Sequence, residues 1–211
     1  MKALNVKNMR KAKQQGFTII ELVVVILLLG ILTATALPRF MDVTDEAHDA
    51  VVDAVRGGLL TSAALFRAQY VGKGEPLGVA LADFGDDTLF PDGNGTGYPA
   101  DATDGELNDE TECLAVYNGL LQVGRPLAAA AAHSDTAATL EDNIEAAAGP
   151  TIDFVVTGND EDDPLDGCVL YYVGQFKSGN TTASQIIPNL VYTLASGAVV
   201  DGTPLTLNLA D

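Results

Sequence analysis

One apolar segment near the N-terminus constrains the fold more than any other part of the sequence. Residues 17–37 (FTIIELVVVILLLGILTATAL) contain a single charged side chain, the carboxylate of Glu21. A helix of this length, at about 1.5 Å per residue, spans about 30 Å, which is the thickness of a bilayer hydrocarbon core. The segment therefore predicts a transmembrane helix.

A secretory signal peptide is an alternative interpretation of the same segment. Basic residues precede it, Leu22–Leu32 is a suitable apolar core, and Ala34–Ala36 has the small residues of a cleavage site, with cleavage after Ala36. Neither an anchor nor a signal peptide explains Glu21, because a carboxylate inside a bilayer costs roughly 2.5–3.5 kcal/mol. Glu21 is therefore a candidate functional residue.

Charge is distributed unevenly along the chain. It has 29 acidic and 11 basic residues, a net charge of −18, and five of the bases precede the apolar segment: Lys2, Lys7, Arg10, Lys11 and Lys13. The positive-inside rule places this basic leader in the cytoplasm. The rest of the chain is acidic and repels polyanions, so we expect no nucleic-acid partner.

The two cysteines, Cys113 and Cys168, both lie in the acidic part of the chain. In an exported protein, two cysteines most simply form one disulfide. The loop that such a bond would close runs from Cys113 to Cys168, and closing it stabilises the fold by roughly 4 kcal/mol in the chain-entropy model.

The motif GFTIIEL, residues 16–22, joins the basic leader to the apolar segment. It resembles the processing site of the type IV pilin superfamily, which includes type IV pilins and the pseudopilins of type II secretion. The resemblance implies that a prepilin peptidase cuts after Gly16 and that Phe17 becomes the N-methylated first residue. It divides the chain into a leader (1–16), a transmembrane and filament-core helix (17–38) and a globular head (39–211).

The position of Glu21 is explained by this resemblance. Cleavage leaves an ammonium at Phe17 in apolar surroundings, and a buried charge needs a partner. Glu21 lies one helical turn further on. In the family, this pairing of carboxylate and ammonium registers each incoming subunit during assembly.

The function implied by the resemblance is that of a structural subunit, not an enzyme. Islands such as ALPRFMDV, ECLAVYNGLL and LVYTLASGAVV are similar to the mannose-sensitive haemagglutinin (MSHA) pilin group. We therefore expect an inner-membrane precursor and then a type IV pilus for adhesion on a Gram-negative cell, with the chain itself and the assembly machinery as partners. A type II secretion pseudopilin is the main alternative.

The predicted fold class is α+β. A long helix (about 17–71), which Pro38 should kink or locally melt, packs on a C-terminal antiparallel sheet, with a long acidic loop at 72–111 between them. Apolar residues spaced by three or four mark the packed face of the helix: Phe40, Val43, Ala47, Val51, Val55, Leu59, Ala63, Phe66 and Tyr70. Asp109 and Glu112 predict a capped short helix, and a further helix is expected at 134–148. Strands are predicted at 152–156, 168–173, 190–194 and 205–207.

Candidate metal ligands are weak in this sequence. The acidic loop with Asp160, Asp162, Asp163 and Asp166 offers oxygen ligands for calcium, but a solvated acidic turn is the simpler explanation. Asp92, Asn94 and Thr96 have calcium-loop spacing, but Thr103 stands where a bidentate Glu is needed. His48 and His133 have no catalytic or zinc context. We expect no metal and no catalytic residues.

Overall fold

The computed structural model describes residues 16–76, 78–81, 89–100, 109–122, 124–158, 167–175 and 184–208. The chain divides into two units, residues 1–46 and 47–211. Helix α1 (Ile19–Gly72) begins in the first unit and ends in the second. The second unit also contains α2 (Glu110–Leu120), α3 (Ala137–Ala147) and these strands: β1 (Phe90–Pro91), β2 (Pro99–Ala100), β3 (Ala128–Ala130), β4 (Phe154–Gly158), β5 (Gly167–Tyr172), β6 (Ser184–Ile187), β7 (Asn189–Thr193), β8 (Ala198–Asp201) and β9 (Leu205–Asn208). This α+β arrangement agrees with the predicted fold class and is consistent with the type IV pilin fold.

In the first unit, α1 exposes an apolar surface over most of its length. The span Ile19–Phe40 is long and apolar enough to cross a membrane, and none of it is buried. Its hydroxyl groups are satisfied within the helix: Thr33 Oγ1 donates to the backbone carbonyl of Leu29 (2.8 Å) and Thr35 Oγ1 to that of Leu32 (3.0 Å). Because of these bonds, the hydroxyl donors of Thr33 and Thr35 are paired even where the helix has apolar surroundings.

Pro38 does not interrupt α1, which is helical on both sides of it. The local melting offered as one alternative is therefore wrong, and the kink stays a prediction. Proline removes one backbone donor from the helix, and the flanking turns keep their helical geometry despite that loss.

In the second unit, one stripe of α1 enters the hydrophobic core. The predicted stripe is confirmed for its C-terminal residues, which are buried: Val55, Leu59, Ala63, Phe66 and Tyr70. Val52 joins them, while Val51 is half-buried. The prediction is wrong for Phe40, Val43 and Ala47, which are exposed in this single chain. Helical spacing marks which face is apolar, but it does not show what covers that face.

The central sheet has five strands in the order β3-β4-β5-β7-β8. Every neighbouring pair is antiparallel except β3 and β4, which are parallel. The predicted antiparallel sheet is therefore mixed at one edge. Parallel neighbours need a crossover connection, and α3 lies within the connection between β3 and β4. The helix predicted at 134–148 is this α3.

Strand β4 of the central sheet is buried on both faces. On one face, Phe154 and Val156 of β4 pack in the core that α1 and α2 share. On the other face, Val155 packs with Ile144 of α3 and with Ile187 of the β6-β9 ribbon. Since side chains alternate along a strand, β4 contributes to both cores. The sequence prediction included only the first of these two layers.

The segment predicted as a long surface loop contains anchored structure. Leu81 and Leu89 pair in a β-bridge and are both buried, and Ala100 in β2 is buried as well. Gly97, at a φ of 76°, lies so close to the ring of Tyr70 that an added Cβ would be 2.2 Å from it. The described parts of the segment are therefore packed on α1, which corrects the expectation of little regular structure.

Candidate functional site

The predicted cleavage junction lies at the start of the described chain. Gly16 and Phe17 are exposed and precede the first turn of α1. Nothing lies within 4 Å of a Cβ built on Gly16, and the side chain of Phe17 is 79% exposed. An exposed, non-helical peptide bond is accessible to a protease. The residues of the leader before Gly16 lie outside the described residues.

Glu21 lies in the first turn of α1, where Thr18 holds it. The backbone N–H of Glu21 donates to Thr18 Oγ1 (3.2 Å), and the Thr18 hydroxyl donates to Glu21 Oε2 (3.3 Å). Leu22 N–H donates to the Thr18 carbonyl (3.2 Å). Thr18 thus caps the helix, and a carboxylate near a helix N-terminus is favoured by the helix dipole.

The geometry of Glu21 leaves its carboxylate able to accept further bonds. An ionised carboxylate has about four acceptor positions, and the contact with Thr18 occupies one of them. Glu21 is exposed on an apolar helix, so its burial among apolar neighbours requires a cation. A positively charged N–H group is the partner that such a carboxylate binds most strongly.

Thr18 is a candidate positioning residue to which the sequence analysis assigned no role. The signal was present, because Thr18 and Glu21 have the Ser/Thr-x-x-Glu spacing of a helix cap immediately before an apolar run. The structure places Thr18 beside Glu21 as a positioning residue, while Pro38 lies well outside this first turn.

The second candidate feature is the disulfide, which joins Cys113 and Cys168 as predicted. Their Cα atoms are 5.5 Å apart, and both residues are buried. The bond ties α2 to β5 inside the core formed with α1. It lies among Leu59, Tyr117 and Tyr192, so the link is enclosed by apolar and aromatic side chains.

Helix α2 positions Cys113 through the predicted capping box. The Asp109 carboxylate accepts from the Thr111 backbone N–H (2.7 Å), and Glu112 accepts from the Asp109 N–H (3.4 Å). Hydrogen bonds from the Thr111 backbone and hydroxyl lower the pKa of Asp109. The carboxylate therefore stays ionised at the helix N-terminus, where the dipole favours it.

The candidate calcium ligands are not brought together in the described part of the chain. Asp160, Asp162, Asp163 and Asp166 lie outside it. Within it, no three His, Cys, Asp or Glu side chains are grouped closely enough to hold a metal ion.

Asp92 has a structural role in the turn between β1 and β2. Its Oδ1 accepts from the Gly97 backbone N–H at 2.7 Å, while the Asp92 N–H donates to the carbonyl of Tyr98. The residue is 1% exposed. The spacing that resembled a calcium loop is thus explained by the hydrogen bonds of a tight turn.

The two histidines lie apart and have different neighbours. His48 Nδ1 is 2.7 Å from the hydroxyl of Tyr172, with the rings 5.7 Å apart. His133 Nε2 is 3.8 Å from a carboxylate oxygen of Asp135. Among the residues that the structure describes, neither histidine contacts a serine, threonine or cysteine in an arrangement for nucleophilic catalysis.

Comparisons with known proteins agree with the N-terminal geometry. The prokaryotic N-terminal methylation motif matches residues 11–37. Over 60 residues, the chain is 45% identical to the type IV narrow pilus major component PilA5 of Thermus thermophilus. That alignment covers 28% of this chain and 52% of the relative, so the chain spans about half the length of the curated relative it matches. No solved structure matches significantly.

The chain thus has the prepilin motif at its N-terminus and is similar to a type IV pilin, which supports the type IV pilin superfamily. Neither comparison tests the similarity to the MSHA group, which stays a prediction.

Proposed function

We propose that this chain is a pilin, a structural subunit that polymerises into a type IV pilus on the bacterial surface and serves adhesion or surface attachment. The observation that carries the proposal is the exposed apolar segment 17–37, in which Glu21 is the single charge and which begins directly after Gly16. An exposed apolar helix needs lipid or other helices around it.

The proposed maturation follows from the same residues. A prepilin peptidase removes residues 1–16 at the cytoplasmic side of the inner membrane. The new ammonium at Phe17 then meets a Glu21 carboxylate, preferably that of a neighbouring subunit. The neutralised helices, residues 17–38, leave the membrane and form the filament core, while residues 39–211 form the head on the surface of a Gram-negative cell.

This proposal gives Glu21 different surroundings at each stage. In the membrane, the charge is costly, and the Thr18 hydroxyl offers a single hydrogen bond. In the polymer, the same carboxylate gains a cationic partner, which compensates the charge that is left unpaired in lipid. The transfer from lipid to filament is therefore favourable at this residue. No residue is assigned a catalytic role.

The experiment is the intact mass and N-terminal residue of protein sheared from the cell surface. The proposal expects a chain that begins at N-methylated Phe17 and is two hydrogens lighter than the reduced form, as one disulfide requires. A chain beginning at Leu37 in the medium would instead identify a signal peptide. A Phe17 start found only in the inner membrane would favour a pseudopilin of type II secretion.

A matched variant sharpens this experiment. Gly16→Leu should leave an uncut precursor in the membrane, since a peptidase that requires a small residue before the cut is blocked. The substitution has open space around it, so the amount of disulfide-bonded chain should equal that of the unaltered protein. Cleavage of Gly16→Leu at the normal rate would refute the assigned cut site.

A further inference from the structure

The exposed side of α1 in the second unit forms one wall of an open groove. Leu60, Ala64, Ala68 and Val71 line it at helical spacing, and Tyr98 with the turn at 196–198 forms the opposite wall. The groove has a volume of about 720 Å³. We refer to it as the α1 groove.

Among the described residues that line the α1 groove, none is acidic and one, Arg67, is basic. Residues 54–72 (AVRGGLLTSAALFRAQYVG) contain two arginines and no acidic residue. By contrast, residues 47–211 as a whole contain 25 acidic and five basic residues. Two heads with this charge repel each other at most orientations, and contact through a groove with no acidic side chain in its described lining lowers that cost.

Arg67 supplies a fixed positive charge in the groove. Its guanidinium carbon is 4.9 Å from the centre of the Tyr98 ring, and Nη1 donates to the Tyr98 hydroxyl at 3.0 Å. Arg67 is nevertheless exposed. A guanidinium has five N–H donors, and the described hydrogen bond to Tyr98 uses one of them, so a positioned arginine suits a carboxylate.

We propose that the α1 groove docks a carboxylate-bearing surface of a second copy of this chain within the filament. The proposal rests on the pilin function and deepens it by naming the contact between heads. Charge complementarity carries the argument, because the groove offers an arginine and apolar side chains, while residues 47–211 carry 25 acidic side chains against five basic ones. Carboxylates of a second acidic head are therefore attracted to Arg67 in this groove.

The contact should be heterologous, joining two different surfaces of the two copies. Docking groove against groove by two-fold symmetry would bring two Arg67 guanidinium groups towards each other, which is unfavourable. If the groove of one copy binds a different, acidic surface of the next copy, a free groove remains at one end of the polymer and a free acidic surface at the other. Such contacts generate open helical polymers, which fits a filament subunit.

The experiment uses the full-length chain in cells that make filaments. The photo-crosslinking residue p-benzoylphenylalanine replaces Ala64 in the groove or, as the matched control, Leu127, which is 55% exposed and outside the groove. After illumination, filaments are sheared and the adducts identified by mass spectrometry. The proposal expects adducts of two copies from position 64, joined to a peptide that carries Asp or Glu, and about tenfold fewer from position 127.

Charge reversal provides the second measurement. Arg67→Glu should lower the yield of position-64 adducts by at least about tenfold, because a carboxylate in the groove repels the partner. Lys73→Glu changes the net charge equally near the end of α1 and should have little effect, since Lys73 does not line the groove. The amount of disulfide-bonded chain in the membrane reports folding for both variants.

The outcomes separate this inference from the pilin function. Filaments that form normally without position-64 adducts, or with adducts to a different protein, would overturn the groove contact and leave the pilin function standing. Equal losses for Arg67→Glu and Lys73→Glu, at equal amounts of folded chain, would overturn it as well. If the unaltered chain forms no surface filament, the pilin function fails and the groove contact fails with it.

Discussion

The buried disulfide between Cys113 and Cys168 allows the most quantitative prediction. The two residues are separated by 55 positions. In the chain-entropy model, a closed loop of this length restricts the unfolded state by about 4 kcal/mol at 25 °C. We therefore expect Cys113→Ala, Cys168→Ala and the double variant each to lower the free energy of unfolding by about that amount.

The same loss of stability can be expressed as a decrease in the melting temperature, Tm. For a domain of this size, each kcal/mol corresponds to roughly 2–4 °C in Tm, so the loss should be about 8–16 °C. The assay is thermal unfolding of the detergent-solubilised full-length chain, followed by far-UV circular dichroism. Adding reductant to the unaltered protein should reproduce the loss, and the alanine variants should not respond to reductant.

Non-additivity is the decisive feature of this series. Either single substitution breaks the same bond, so the double variant should be only slightly less stable than each single variant. A double variant that loses the sum of the two single effects would show that the cysteines stabilise the head only as separate buried side chains. A loss below about 1 kcal/mol in all three variants would refute the loop-closure argument.

Three further predictions follow from residues described above. Glu21→Ala should decrease the ratio of surface filament to membrane-bound chain at least about tenfold, because the Phe17 ammonium loses its partner. Immunoblots of the sheared and membrane fractions measure this ratio. Filaments at normal yield would refute the pairing of Glu21 with the ammonium. Phe66→Ala should lower the free energy of unfolding, measured with denaturant, by about 3–5 kcal/mol. The neighbouring Leu65→Ala, at an exposed site, should lower it by less than about 1 kcal/mol. Equal losses of stability would contradict the assigned core face of α1. Burial raises the pKa of Tyr117 and Tyr192 above the ordinary value of 10.0. Their phenols stay protonated in the folded state while the unfolded state loses protons, so stability should fall as the pH rises above about 10. Tyrosinate absorbance that appears before unfolding, and that Tyr117→Phe or Tyr192→Phe removes, would contradict this.

The elements that the sequence predicted best have strong local signals. The capping pair Asp109 and Glu112 gave the start of α2, and the apolar stripe of α1 gave its packed face from Val55 onwards. Each signal lies within a few residues of the feature it predicts. The disulfide was predicted for a different reason, since Cys113 and Cys168 have no competing partner in the chain.

The features that the sequence did not predict depend on distant partners. Strand β3 is Ala-Ala-Ala, which has little intrinsic strand preference, and it forms by pairing with β4. Strand β6 pairs with β9, so the ribbon depends on register between separate segments. The second core, around Ile144 and Val155, requires these elements to be placed already.

In the candidate site, the sequence indicated which residues carry the chemistry but not which hydrogen bonds hold them in place. Gly16, Phe17 and Glu21 were predicted from the resemblance of GFTIIEL to the prepilin processing site, but the hydrogen bonds between Thr18 and Glu21 depend on where the helix begins. The contact of Arg67 with Tyr98 joins α1 to the turn before β2 and has no local signal. Cation–aromatic contacts of this kind are set by tertiary packing, which spacing alone does not specify.

The disulfide also decides how the chain responds to mechanical tension. A pull on the two ends of the head passes directly from Cys113 to Cys168 through the covalent bond, and the residues between them carry no load. The separation of 55 positions between the cysteines, at about 3.3–3.6 Å each, corresponds to roughly 180–200 Å of chain that cannot be extended while the bond is intact. An oxidised subunit that yields under load therefore lengthens far less than a reduced one.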